Sequence, residues 1–372
     1  MNKKKLSKLD ETLELLKKLC FTPGPSGRED KIRKIIKEEL EGYVNKIEVS
    51  PIGDLIAFKK GSGSKNPKVL IDTFIDEISC LVRFIDDKGF LRLQKAGYFD
   101  TKVTIGQAMI VWTSKGPVDG VVGANYPILE TSIGAAEKVP PFDDLFLDIG
   151  VNSRIEAESL GVQVGDHITF SRSFSIIGNG NKIRGNSLAN RNSVCMLIEI
   201  MRSLTEAPVE ADVYASFRAQ EESAIGRHCG PIARTVNPQI VIEINTNVAA
   251  DTPGMREDLV ISKQGDGVVI MLSDRCPEEP FSGYVYHPKL VELFKKVAQE
   301  HKIKYQIRPS TMVYLSGATF FRLENGGIPS INCGTPIRHV YTPYEMMDID
   351  DFINCKRLVQ TVLSYIDSCV SK

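Results

Sequence analysis

The 372-residue sequence has one tryptophan, five histidines and no apolar run long enough to span a bilayer. The histidines (167, 228, 287, 301 and 339) form neither H-x-H nor H-E-x-x-H, which excludes the compact histidine motifs that hold a metal on one helix or strand. The eight cysteines (20, 80, 195, 229, 276, 333, 355 and 369) include no C-x-x-C and no short metal spacing, a pattern of reduced, buried thiols rather than a disulfide framework or a zinc ribbon. A net charge of -1 leaves no electrostatic footprint for nucleic acid. Lys3, Lys4 and Lys5 are not followed by the apolar core of a signal peptide. Leu13, Leu15, Leu16 and Leu19 are instead interleaved with Lys and Glu, as in an amphipathic helix. These absences point to a cytoplasmic protein with neither a membrane nor a nucleic acid as partner.

Apolar periodicity predicts a helix over 9–20, broken by Thr22-Pro23-Gly24-Pro25, and a second over 30–40, opened by a capping box of Ser26 and Glu29. Strands are predicted over 46–49 and 55–59, then a buried strand from Lys68 that runs into Asp76-Glu77. From 79 to 174 the character changes to short strands (81–85, 90–93, 108–113, 120–122, 167–170) separated by Gly, Pro and Asp turns, with one helical stretch at 154–160. That is the signature of a small barrel or sandwich. Helical periodicity then returns: Val194, Leu197, Ile198, Met201 and Leu204 share one helical face. Strands over 213–219 and 240–245 and helices over 289–301 and 349–371 follow. The expected architecture is α/β, a parallel-rich sheet domain with helices on both faces (1–76 and 175–372) interrupted by a β-barrel domain (77–174). Gly178-Asn179-Gly180-Asn181 lacks the order of a phosphate loop and reads as a turn.

The 213–219 strand ends in Gln220-Glu221-Glu222. Side chains leaving a strand diverge, so one carboxylate of such a pair can hold a metal while its neighbour acts as general base on a metal-bound water. A solvated acidic turn is the competing reading.

The order of F-T-P-G-P-S-G-R-E (21–29), I-D-E-I (75–78), L-G-V-Q-V-G-D (160–166), A-N-R (189–191), Q-E-E (220–222), D-T-P-G (251–254), G-I-P-S (327–330) and R-x-x-x-T-P (338–343) resembles the glutamyl and tetrahedral aminopeptidases, a family of dinuclear metallopeptidases. The resemblance spans essentially the whole chain. It implies a zinc-peptidase-like α/β domain, an inserted barrel used in self-association, and two divalent metals (Zn, Co, Mn or Mg) about a shared water. It also implies that the five ligand positions are here Phe74, Ala189, Glu222, Asn245 and Tyr341, with Glu221 at the general-base position and Asp76 at the position that orients the first ligand. A benzyl ring and a methyl have no lone pair, an amide is neutral, and a phenol is protonated near pH 7. The two-metal site is therefore expected to be absent, with no cofactor, and the chain to act as a peptide-binding or assembly subunit, a homo-oligomer or a hetero-oligomer with an active paralogue.

The alternative is an active aminopeptidase that uses a rebuilt carboxylate site. Glu243 shares a strand face with Asn245, and Asp72 with Phe74, so Asp72, Asp76, Glu222 and Glu243 would make an oxygen-only site suited to Mg, Mn or Ca. Without metal, Asp76, Glu221 and Glu222 need a cation between them, either Arg191, Arg218 or Arg338 as a salt bridge or the ammonium of a bound peptide. Arg338 and Ser316 are candidate binding residues. Gly317 stands where the family carries an Asp near the substrate amine.

Overall fold

The computed structural model describes residues 7–64, 66–124, 139–223, 226–260, 262–275, 283–310 and 316–366. Lys3–Lys5, Cys276, Cys369 and the 367–371 end of the predicted last helix lie outside them. The six described cysteines are buried and in no disulfide. No helix among the described residues is long and apolar enough to cross a membrane.

Four strands lie side by side and parallel at the centre of an eleven-stranded sheet, in the order Asp212–Arg218, Lys68–Phe74, Ile240–Val248, Ser330–Arg338. Antiparallel strands extend both edges, Leu55–Lys59 and Lys46–Val49 on one side, Glu345–Asp348, Lys182–Gly185 and Phe174–Ile177 on the other. Runs such as Val69-Leu70-Ile71 and Ile240-Val241-Ile242 are apolar at every position because both faces of a central parallel strand are covered. Val69, Ile71, Ile240 and Ile242 pack under the helices Lys8–Phe21, Asp30–Leu40, Leu188–Ser203, Pro288–Glu300 and Ile349–Leu363. Leu70 and Val241 point the other way, under the helix Cys229–Val236 and Phe321 of the one-turn helix Gly317–Phe321. The expected fold, a parallel-rich sheet with helices on both faces plus a barrel, is the one observed.

The barrel closes in the order Ser79–Ile85, Leu91–Ala96, Phe146–Asp148, Gly116–Gly123, Ala108–Thr113, His167–Phe170. Val82, Leu91, Leu93, Met109, Val111, Leu147 and Ile168 fill it. Closure pairs the strand edges that an open sheet of this length would expose.

One local reading changes. Ser26 and Glu29 form no capping box: Ser26 Oγ donates to Asp76 at 2.6 Å, and Glu29 accepts from Gly27 N at 2.7 Å and Gln220 N at 3.1 Å. Both side chains anchor the loop to the strand ends, a demand that outweighs helix capping. The helix whose apolar face includes Val194 to Met201 spans Leu188–Ser203, with Leu188 buried in the core. The Gly178–Asn181 stretch is the turn between Phe174–Ile177 and Lys182–Gly185, with Gly178 and Gly180 at positive φ.

Candidate functional site

Strand register assembles the site. Ser216 is opposite Asp72, Asp72 opposite Glu243, and Glu243 opposite Asn332, so four neighbouring strands carry a row of polar side chains on the face under the short helices. All four are buried. A buried carboxylate must be paired or protonated, and the partner is Arg218, two residues beyond Ser216 on the same face and wholly buried.

Arg218 Nε donates to Asp72 Oδ2 at 2.8 Å, one Nη to Glu221, and the other to Glu243 Oε1 at 3.1 Å. The planar fork suits this three-way arrangement, which a point-charge ammonium would not satisfy. Glu243 also accepts from Gly317 N at 2.8 Å, Ala318 N at 2.9 Å and Asn332 Nδ2 at 3.0 Å. One guanidinium faces three carboxylates, so charge is in excess: burial pushes Asp72 up to about 7 against the pull of Arg218, and burial raises Glu221 as well. The carboxylates in turn hold Arg218 ionised despite its burial.

Gly317 belongs to the same construction. A Cβ there would come within 2.8 Å of Arg218 Cζ and 3.0 Å of Glu243 Oε1. The guanidinium, pinned by three acids, has nowhere to retreat. Gly317→Ala is expected to cost about 1–3 kcal/mol through overpacking, read as a lower urea midpoint at unchanged slope.

Asp76 builds the turn that follows. Gln220 sits in the left-handed region at φ 55°, and Asp76 accepts from the amides of Glu221 and Glu222, both at 2.9 Å. Burial pushes Asp76 up to about 7 against its hydrogen bond from Ser26. Glu221 turns inward to Arg218 and also accepts from Gly226 N at 2.8 Å. Glu222 turns outward into a cavity of about 20 Å³ lined by Glu77, Ala189, Asn190, Tyr341 and Glu345 among others. The two adjacent glutamates thus diverge as expected, but into different surroundings.

Around that cavity Glu77 is well compensated. Burial raises its carboxyl, but Arg172, bonded at 2.5 and 2.7 Å, and Arg191 outweigh burial and hold it at about 2. Glu222 and Glu345 are not. Glu222 has neither a cation nor a hydrogen-bond donor on its carboxylate among the described residues, and burial, then Asp76 and Glu221, raise it well above the ordinary range. Glu345 accepts from Ala189 N at 2.7 Å and Tyr341 N at 3.3 Å, and burial pushes it up to about 8. Sequence reasoning passed over Glu345; four residues beyond Tyr341, it carried no periodic signal. Asn190 is buried, and its Nδ2 has no hydrogen-bond partner among the described residues. Tyr341, at φ 65°, meets Tyr98 of the barrel edge-on at 5.6 Å.

The remaining candidates lie apart from this cavity. Asn245 donates to Glu243 at 3.2 Å and Phe74 ends its strand mostly buried. Arg338 forks onto Asp251 at 2.8 and 2.5 Å, and Arg191 bonds the Ile75 carbonyl. Ser316 bonds Asp274 and Tyr286, at 2.7 and 2.8 Å. Of the three arginines considered for the acid cluster, Arg218 is the one seated in it.

Among the described residues no three His, Cys, Asp or Glu side chains converge so as to hold a metal ion. The donors present do not suit a pair of divalent cations. Asp72 and Glu243, the carboxylates expected to rebuild such a site, spend their oxygens on Arg218, Ser216, Asn332 and backbone amides. A guanidinium stands beside them where a cation would be required.

The fold, a parallel-rich sheet domain with a closed barrel, is similar to that of solved aminopeptidases. A TET aminopeptidase from Thaumarchaeota archaeon SCGC AB-539-E09 superposes with a TM-score of 0.90 at 28% identity, over 96% of this chain and 97% of that one. The Pyrococcus horikoshii TET1 peptidase, which can assemble into a tetrahedron or a large octahedral shell, gives 0.81 at 28%, over 95% and 99%. The putative aminopeptidase FrvX of Escherichia coli strain K12 is 31% identical over 358 residues, 95% of each chain. The M42 glutamyl aminopeptidase model matches residues 53–358, and the chain belongs to that family.

Proposed function

We propose that this M42-family chain is a non-catalytic subunit that binds the amino terminus of peptides and self-associates. The observation that carries the reading is Arg218, which ties the general-base position Glu221 and both spare carboxylates, Asp72 and Glu243, into one buried ion cluster. The Glu221 oxygen that accepts from Arg218 and Gly226 N is not free to take a proton from a substrate water, and site chemistry outranks fold in assigning function. Phe74, Ala189, Asn245 and Tyr341 then stand at ligand positions without being ligands.

The same geometry leaves Glu222 and Glu345 without a cation on a cavity the size of one ammonium group. A peptide's α-ammonium would donate to these carboxylates, and the unpartnered Asn190 amide would donate to the adjacent carbonyl. The barrel, residues 77–174, is the proposed self-association module, in keeping with the assemblies formed by TET1.

Titration with short peptides tests the reading. Saturable binding is expected for a free amino terminus, with loss of at least tenfold on N-acetylation or in Glu222→Gln, and with no product released. Equal binding of the acetylated peptide, or turnover, would sink it.

A further inference from the structure

A second cleft, of about 460 Å³, opens where the segment 23–31, a loop and the start of the helix Asp30–Leu40, meets the outside of the barrel. Its size is that of a small-molecule site. Trp112 and His167 form one wall, Pro23, Pro25 and Pro117 add rigid apolar surface, and Arg28 and Lys31 bring positive charge. Trp112 is held in place: Nε1 donates to Thr169 Oγ1 at 2.9 Å, and the Lys31 ammonium sits 4.8 Å from its ring centre.

Arg28 and Lys31 share the cleft with Asp30 and Asp166, and neither cation makes a salt bridge among the described residues. Asp30, also in the lining, pairs at 2.7 Å with Arg33, which Glu29 shares at 3.7 Å. Asp166 accepts from Gln163 N at 2.8 Å. His167 Nδ1 is buried with no hydrogen-bond partner among the described residues. Burial and then Arg28 press its pKa below the ordinary value, so at neutral pH the ring is uncharged and can donate one N–H without adding charge.

Two cations without ion-pair partners among the described residues, an imidazole and an apolar wall of indole and proline rings fit an anion with a hydrophobic body. We propose that this cleft binds an organic carboxylate with an aliphatic or aromatic body, such as the carboxyl terminus of a peptide ending in a large apolar residue. The carboxylate pairs with Arg28 and Lys31 and accepts from His167, and the side chain lies against Trp112 and the prolines. This site is independent of the ammonium cavity and does not rest on the reading of that cavity.

Trp112 is the only tryptophan in the chain, so fluorescence excited at the red edge, where tyrosine does not absorb, reports on this cleft. The probes are N-acetyl-alanyl-leucine, its carboxamide, and 4-methylpentanoate, added to the intact protein at low and at physiological salt. A saturable change is expected with the acetylated acid, at least tenfold weaker with the carboxamide, and weakened tenfold or more by Arg28→Ala. Glu222→Gln is expected to leave it unchanged, which separates this site from the amino-terminus cavity. Binding of 4-methylpentanoate as tight as that of the peptide assigns the site to free acids; weaker binding assigns it to peptide carboxyl termini. No saturable change, equal binding of acid and carboxamide, or an Arg28→Ala variant that binds like wild type overturns the proposal.

Discussion

Arg218→Met is expected to destabilise the fold by about 3–5 kcal/mol, because it strips the shared cation from buried Asp72, Glu221 and Glu243. The loss exceeds the value of the ion pairs themselves, since three carboxyl groups are then left in a core with fewer partners. Arg218→Lys should recover part of it: an ammonium keeps the charge but cannot fork three ways. Adding Glu243→Gln to Arg218→Met should return part of the loss, a coupling that independent sites would not show. Urea denaturation of wild type, these three variants and Glu243→Gln alone measures these terms. If Arg218→Met folds soluble and loses less than about 1 kcal/mol, the cluster is not the keystone described here.

Stability is expected to fall as pH rises from about 5 to 8. Asp72 and Asp76, at about 7, and Glu345, at about 8, lie above their unfolded values because burial disfavours their charged forms. For a raised acid the folded state keeps a proton that the unfolded chain gives up. Its contribution is therefore complete below the unfolded pKa, near 4, and lost as pH climbs through the folded value. Glu77, held at about 2, works in the opposite sense, and its contribution is lost below about pH 4.5. The maximum should fall near pH 5, with a drop on the order of several kcal/mol by pH 8. Glu345→Gln, which removes one titration at similar shape, should flatten the slope. Stability flat or rising from pH 5 to 8 would contradict these shifts. A bound ammonium should offset the drop, so peptides are expected to raise the melting temperature more at pH 8 than at pH 5.

The sequence shows the architecture more fully than the site. Val69-Leu70-Ile71, the stripe ending at Leu204 and the run of short strands after Ser79 each announce their element through local periodicity, which needs no partner to be read. Glu221 and Glu222 are visible as an acidic strand end. What is not visible is that Glu221 turns in and Glu222 out, because that follows from Gln220 adopting a left-handed turn over the Asp76 carboxylate. Arg218 was one of three arginines that met the need for a cation. Choosing it requires the register that sets Ser216, Asp72, Glu243 and Asn332 in one row, a fact of strand pairing with no trace along the chain. Gly317 looks like a lost recognition residue in sequence; in space it is the room that Arg218 needs. The Ser26–Glu29 pair had the right spacing for a cap and was drawn off by Asp76 and Gln220.

The central claim is that the Arg218 cluster has taken the place of a metal pair. Elemental analysis after dialysis against zinc, cobalt or manganese, with hydrolysis of an aminoacyl substrate panel measured on the same samples, tests it most directly. The account predicts well under one metal per chain and no turnover above buffer. Near two metals per chain with turnover would contradict it and would mean that Asp72 or Glu243 leaves Arg218 to bind metal.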